Sequence, residues 1–251
     1  MATIGVFDSG LGGVSALIAL KRVLPNEKFV YYADNKNAPY GLKSNAQIVK
    51  HSLDIVDFLI KKEAKAIVVA CNTATSAAVD TLRFRYNLPI IGMEPALKPA
   101  LALGGKTVIL GTSTTLRNRK LRELIDSLGT NKNLILLDGT RLVSFVERLD
   151  LYSNDFKNVL HDILEYHLEA DNIVLGCTHF PFFKDQIYDL MPHATIVDGH
   201  MGTAKRLKSI LEEKNLIENN GGSIEFFSSK SDEEAKISRR LYELNLSMEF
   251  F

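Results

Sequence analysis

Two cysteines, Cys71 and Cys177, stand in matching settings, Ala70-Cys71-Asn72-Thr73 and Gly176-Cys177-Thr178-His179, 106 residues apart. Each follows an apolar run of strand length and precedes residues suited to open a helix. The unpaired N–H groups and dipole at a helix N-terminus favour an anion, so a thiol there has a route to thiolate that a free thiol, with a pKa of about 8.5, lacks. Taken singly, each cysteine reads as a small core residue. Taken as a pair, they read as two proton-transfer groups. Inverting a carbon that bears hydrogen needs one group to remove a proton from one face and another to deliver a proton to the opposite face. Asp8, beside one thiol, and His179, beside the other, are the candidate assistants that hold the correct ionisation states. A metal site is not expected, because neither cysteine has a C-x-x-C or H-x-x-x-H partner pattern nearby. A nucleophilic Cys177–His179 pair is chemically open, but it leaves Cys71 without a task.

A pair of equivalent lobes facing each other across a cleft provides the two-faced arrangement that such an inversion needs. Short apolar runs recur at Ile4 to Phe7, Phe29 to Tyr32, Ala66 to Ala70, Val108 to Leu110, Leu134 to Leu137, Ile173 to Leu175, Ile196 to Val197 and Ile224 to Phe227. Between them lie segments of helical period. The clearest is Ser44 to Lys62, where Ile48, Ser52, Ile55, Val56 and Leu59 share a face and Ser44 with Gln47 forms a capping box. A second capping box, Ser231 with Glu234, opens the last helix. Continuously apolar strands alternating with helices indicate parallel sheets covered on both faces, an α/β fold. The repeated strand-end cysteine predicts two similar lobes related by pseudo-two-fold symmetry. The expected division is 1–95 plus 205–251 for the lobe carrying Asp8 and Cys71, and 96–204 for the lobe carrying Cys177 and His179.

Ligands of open parallel sheets bind outside the carboxyl ends of the strands. There the sequence places Asp8-Ser9-Gly10, Cys71-Asn72-Thr73, Gly111-Thr112-Ser113 and Cys177-Thr178-His179, with Pro39-Tyr40-Gly41 in the loop after the second strand. Such helix N-termini suit a carboxylate or phosphate. Gly10-Leu11-Gly12-Gly13 lacks the spacing of a dinucleotide fingerprint and reads instead as a tight strand-to-helix turn.

Composition narrows the partners. Among 251 residues, 30 Lys and Arg balance 30 Asp and Glu for a formal net charge of +0, and no basic stripe is present, so nucleic acid is not the expected partner. No apolar run approaches the roughly 20 residues of a bilayer span, so no membrane partner is expected. The N-terminus has no basic n-region and enters a strand almost at once, which predicts a cytoplasmic chain in which a structural disulfide is out of place.

Four motifs together carry a resemblance: Gly5-Val6-Phe7-Asp8-Ser9-Gly10, Pro39-Tyr40-Gly41, Ala70-Cys71-Asn72-Thr73-Ala74 and Leu175-Gly176-Cys177-Thr178-His179-Phe180-Pro181. In this order and at these distances the chain resembles the bacterial glutamate racemases of the cofactor-independent aspartate/glutamate racemase superfamily, from Gly5 to the last helix. The resemblance implies interconversion of L- and D-glutamate without cofactor or metal, supplying D-glutamate for peptidoglycan, in a homodimer. It implies that Cys71 works on the D-isomer and Cys177 on the L-isomer, assisted by Asp8 and His179 respectively. Asp8, Ser9, Tyr40, Gly41, Asn72, Thr73, Thr178 and His179 are implied to contact the amino acid. His179 after Cys-Thr, where related aspartate racemases carry an acidic residue, favours glutamate. Glu147 is either a support of the site or, by its unaligned position, a surface residue. Asp198-Gly199-His200 receives no role, and regulatory extensions are not expected. The competing readings are an aspartate or hydantoin racemase using the same thiols, and a non-catalytic carboxylate-binding protein.

Overall fold

The computed structural model describes residues 2–128, 133–219 and 221–250. The chain runs β1 (Thr3–Asp8), α1 (Gly13–Val23), β2 (Phe29–Ala33), α2 (Asn45–Lys61), β3 (Ala64–Val69), α3 (Asn72–Arg85), β4 (Ile90–Gly92) and α4 (Leu97–Ala102). It continues with β5 (Thr107–Gly111), α5 (Ser113–Leu116), α6 (Arg119–Ser127), β6 (Leu134–Asp138), α7 (Thr140–Glu147), α8 (Asn154–Leu164), β7 (Asn172–Gly176), α9 (Lys184–Leu190) and β8 (Thr195–Asp198). It closes with α10 (His200–Glu213), β9 (Ile224–Ser228) and α11 (Asp232–Leu244).

The strands form two wholly parallel sheets, ordered β4-β3-β1-β2-β9 and β6-β5-β7-β8. Apart from β9, the second order repeats the first: the first strand of each lobe has the second on one side and the third, then the fourth, on the other. In this order the strand connections reverse direction between β1 and β3 and again between β5 and β7, which is where an open sheet forms its ligand crevice.

Both sheets are filled on both faces. Ile4, Val6, Val68 and Ala70 belong to the same core as Val14, Leu17 and Leu20 of α1, while Phe7, Ile67 and Val69 share another with the buried faces of α2 and α3. The second lobe repeats the plan: Val108, Leu110, Ile173 and Leu175 lie in one core, Ile109, Val174 and Val197 in the other. In α2 the buried residues are Ile48, Ser52, Ile55, Val56 and Leu59, the face expected from the periodicity, and Ser44 with Gln47 makes both bonds of the capping box. Ser231 accepts the Glu234 N–H at the start of α11.

The chain passes between lobes twice, after β4 and after β8. The passages touch: a Cβ on Gly199 would lie 2.6 Å from the Glu94 carbonyl oxygen, so only glycine fits there. Beyond this point α10 packs on α1 and returns the chain to the first lobe.

Candidate active site

Sheet register places the two thiols in equivalent positions. Phe7 pairs with Val69, and Cys71 lies two residues beyond; Leu110 pairs with Leu175, and Cys177 lies two residues beyond. Cys71 is the N-cap of α3, its sulfur accepting the Ala74 N–H at 3.4 Å, and its thiol donates to Ser9 Oγ at 3.6 Å. Burial, and after it the charge of Asp8, push the Cys71 thiol up to about 12, with Cys177 adding to the rise.

Cys177 heads a buried relay. Its sulfur lies 3.5 Å from His179 Nδ1, and His179 Nε2 lies 2.6 Å from Glu147 Oε1. Burial alone opposes a charged His179, yet the Cys177 sulfur and the Glu147 carboxylate outweigh it and hold the imidazole well above its usual value. With Glu147 taking the Nε2 proton, Nδ1 can receive the Cys177 proton and leave a thiolate beside an imidazolium. Glu147 is held below its ordinary value against the cost of burial, chiefly by its hydrogen bond to His179.

The lobes are tied together at this level. The Leu11 N–H donates to Glu147 Oε1 at 2.7 Å, and Asn35 Nδ2 lies 3.4 Å from Oε2. Thr178 Oγ1 donates to Asp8 Oδ2 at 3.0 Å, and Thr73 and Thr112 share a 3.0 Å hydrogen bond. Asp8 is completely buried, which raises its carboxyl; His179 and the Gly10 N–H oppose the rise. Its bonds run to Gly10 and Thr178, while Ser9 is the group on the Cys71 sulfur.

The glycine turn has a function that its spacing does not disclose. A Cβ on Gly10 would lie 2.0 Å from Glu147 Oε1, and one on Gly12 2.3 Å from His179 Nδ1. These glycines let the start of α1 close against the second lobe. The 3-10 turn Tyr40–Leu42 approaches from the rim, where Thr114 Oγ1 donates to the Gly41 carbonyl at 3.2 Å. The Tyr40 side chain packs in the first-lobe core that also holds Cys71 and donates to Asp34 Oδ2 at 2.6 Å.

Asp8, Ser9, Cys71, Asn72, Thr73, Cys177, Thr178 and His179 are thus gathered and buried at one junction. Glu147 joins them. Its side chain is 19% exposed and held by three bonds, so it is not a surface residue. The available signal was its place directly after Val146 on a helix whose Leu142, Val143 and Val146 are buried. Thr112 and Asn35 were not singled out as site residues. Among the described residues, no three His, Cys, Asp or Glu side chains are grouped to hold a metal ion, and no helix is long and apolar enough to cross a membrane.

The family model for Asp/Glu/hydantoin racemases matches residues 13–205. The chain is 45% identical over 252 aligned residues to a glutamate racemase of Clostridium perfringens, covering 97% of each. Among solved structures, it is similar to glutamate racemase isoform RacE1 from Bacillus anthracis, with a TM-score of 0.86, 28% identity, and 96% of this chain and 94% of that one covered. It is also similar to Escherichia coli glutamate racemase in complex with L-glutamate and the activator UDP-MurNAc-Ala, with a TM-score of 0.85, 29% identity, and 96% and 95% covered.

Proposed function

The chain belongs to the Asp/Glu/hydantoin racemase family, and from that premise we propose that it interconverts L- and D-glutamate by proton transfer between Cys71 and Cys177 across the α-carbon. The observation that carries the mechanism is the pair of register-equivalent thiols, one on each lobe, at the junction that the Thr178–Asp8 and Thr73–Thr112 hydrogen bonds tie together. It is an amino-acid isomerase, and the D-glutamate it makes serves peptidoglycan synthesis.

In the direction from L to D, the Cys177 thiolate takes the α-proton and becomes a thiol, while the Cys71 thiol gives its proton to the opposite face and becomes a thiolate. One C–H bond breaks and one forms, and the negative charge moves from one sulfur to the other. The reverse direction begins with the Cys71 thiolate. His179, held by Glu147, favours the Cys177 thiolate. Among the described residues, the groups bonded to the Cys71 sulfur are Ser9 and Ala74, neither of them a cation, and the ammonium group of the bound amino acid supplies the positive charge on this side. Asp8 assists on this side while fixing Thr178. Ser9, Asn72, Thr73 and Thr178 offer polar groups to the amino acid, and the N–H groups of Tyr40 and Gly41 receive its distal carboxylate. Catalysis proceeds in the cytoplasm in a homodimer, a state that light scattering of the purified protein tests.

The decisive experiment follows α-deuterium in heavy water. D-glutamate formed early from L-glutamate should carry deuterium, while recovered L-glutamate stays almost unlabelled. Cys71→Ser and Cys177→Ser should each lose several orders of magnitude in racemisation, since a hydroxyl is a far poorer base. Near-normal turnover by either variant, or product that keeps its original proton, overturns the two-thiol reading.

A further inference from the structure

Asp198-Gly199-His200 closes a buried chain of hydrogen bonds beneath Cys177. Asp198 Oδ1 lies 2.9 Å from His200 Nδ1, and His200 Nε2 lies 2.7 Å from Ser15 Oγ. Ser15 Oγ lies 2.8 Å from the carbonyl oxygen of Thr178 and 2.8 Å from that of Gly12. Ser15 is on α1 and His200 opens α10, both packed on the first sheet, whereas Thr178 belongs to the second-lobe loop between Cys177 and His179. Ser15, Asp198 and His200 are all buried, and the Phe250 ring stacks on His200 with centroids 4.9 Å apart.

Thr178 needs an outside donor for a local reason. A carbonyl in a tight turn takes the N–H three residues on, but here that residue is Pro181, which has none. The Phe182 N–H is already given to the His179 carbonyl at 3.3 Å. The Ser15 hydroxyl fills the gap.

We propose that Ser15, His200 and Asp198 form a positioning relay that fixes the Thr178 carbonyl, and through it Cys177 and His179, against the first lobe. The relay rests on the reading of Cys177 as one of the two bases. Proton counting gives each member its part. The Ser15 hydroxyl has one proton, which the Thr178 and Gly12 carbonyls share at equal distance, and carbonyl oxygens only accept, so Ser15 holds Thr178 only by donating to it. It must then accept from His200, which requires a proton on Nε2. Asp198, an acceptor held low against the cost of burial by His200 and Lys184, takes the proton on Nδ1, so in the relay both ring nitrogens of His200 carry protons and the imidazolium faces the Asp198 carboxylate. If the Nε2 donor is lost, Ser15 no longer has a partner directing its proton to Thr178, and the loop loses its tie.

The test compares Ser15→Ala, His200→Asn and His200→Gln by the alkylation rate of each thiol with iodoacetamide, mapped by peptide mass spectrometry, alongside kcat and KM for glutamate. The Gln amide reaches the place of Nε2 and donates to Ser15; the Asn amide reaches only that of Nδ1. Ser15→Ala and His200→Asn should raise Cys177 alkylation about tenfold with Cys71 changed less than about twofold, and lower kcat by about tenfold or more, whereas His200→Gln stays within about threefold of wild type. Acceleration of both thiols together, no acceleration, or equal behaviour of the Asn and Gln variants overturns the relay. If Ser15→Ala does not fold, the two His200 variants decide the matter. Racemisation retained by Cys177→Ser overturns the two-thiol reading, whatever the alkylation pattern, so the two failures are distinct.

Discussion

Replacing Glu147 by Gln keeps the shape of the contact with His179 and removes its charge. Oε1 accepts from both His179 Nε2 and the Leu11 N–H, and a Gln carbonyl oxygen can accept both. Hydrogen bonds to a charged group contribute about 1.5–3 kcal/mol and neutral ones about 0.5–1.5 kcal/mol, so each contact loses about 1–1.5 kcal/mol. Since about 1.4 kcal/mol corresponds to one pH unit, His179 in the variant should titrate about one unit lower, and the fold should be about 2–3 kcal/mol less stable where both partners are charged. The His179 contribution is complete below its ordinary value of 6.5 and is lost as pH rises through its raised folded value. The Glu147 contribution is complete above 4.5 and is lost as pH falls through its depressed folded value. The stability gap between wild type and variant is therefore complete between about pH 4.5 and 6.5 and is lost toward low pH and toward the raised titration of His179. Proton NMR of the imidazole gives the titration, denaturant unfolding at several pH values gives the gap, and chiral chromatography gives the rates. kcat/KM should fall about tenfold, by the same factor in both directions, because the enantiomers have equal energy. An unmoved His179 titration together with wild-type racemisation would refute the relay of Cys177, His179 and Glu147.

Gly12 has φ −55°, so alanine suits its backbone, but the added Cβ meets His179 Nδ1 at 2.3 Å and Thr178 Oγ1 at 2.7 Å. Gly12→Ala should cost about 1–3 kcal/mol by overpacking and about tenfold or more in kcat while circular dichroism stays native; wild-type kinetics would show that the lobes need not close so tightly. Asp8→Asn removes a like charge from beside Cys71, so this thiol should ionise below its value of about 12 even as racemisation falls, a shift read from the pH dependence of its alkylation. Aspartate, one methylene shorter, leaves the Tyr40–Gly41 donors unpaired, and glutamate should exceed it at least tenfold in kcat/KM, on the order of one lost buried hydrogen bond; equal values would move the distal carboxylate elsewhere. Dialysis against a chelator should leave turnover unchanged, and activity restored by added metal would contradict cofactor-free proton transfer.

Much of the fold was legible because buried parallel strands are continuously apolar, as in Ile4 to Phe7 and Ile173 to Leu175. β4 was missed: three residues, Ile90–Gly92, directly after Pro89, are too few to show a pattern. Cys177 and His179 were legible as a pair because two residues of a turn bring them together. Glu147 was legible only as one of two alternatives, since its contact with Leu11 spans 136 residues and the local sign is no more than its place after the buried Val146. The same limit hid the glycines, whose neighbours at Gly10 and Gly12 lie on the other lobe. Tyr40 was placed by its loop, but the carboxylate of Asp34 sets where its hydroxyl points.

The repeated strand order has a historical reading. A half-length ancestor that paired with its own copy would have offered one thiol from each subunit across a true dyad, and gene duplication followed by fusion would leave the two matching sheets. Glutamate has no such dyad: rotation that exchanges the thiols also exchanges its carboxylates. Joining the copies in one chain freed each half to diverge. By register Asp8 now answers to Gly111, Asn72 to Thr178 and Thr73 to His179, so the halves differ in the polar groups beside the matched cysteines. On this reading selectivity for one amino acid would come from broken symmetry, and the matched cysteines would be the part of the ancestral pair that both halves keep.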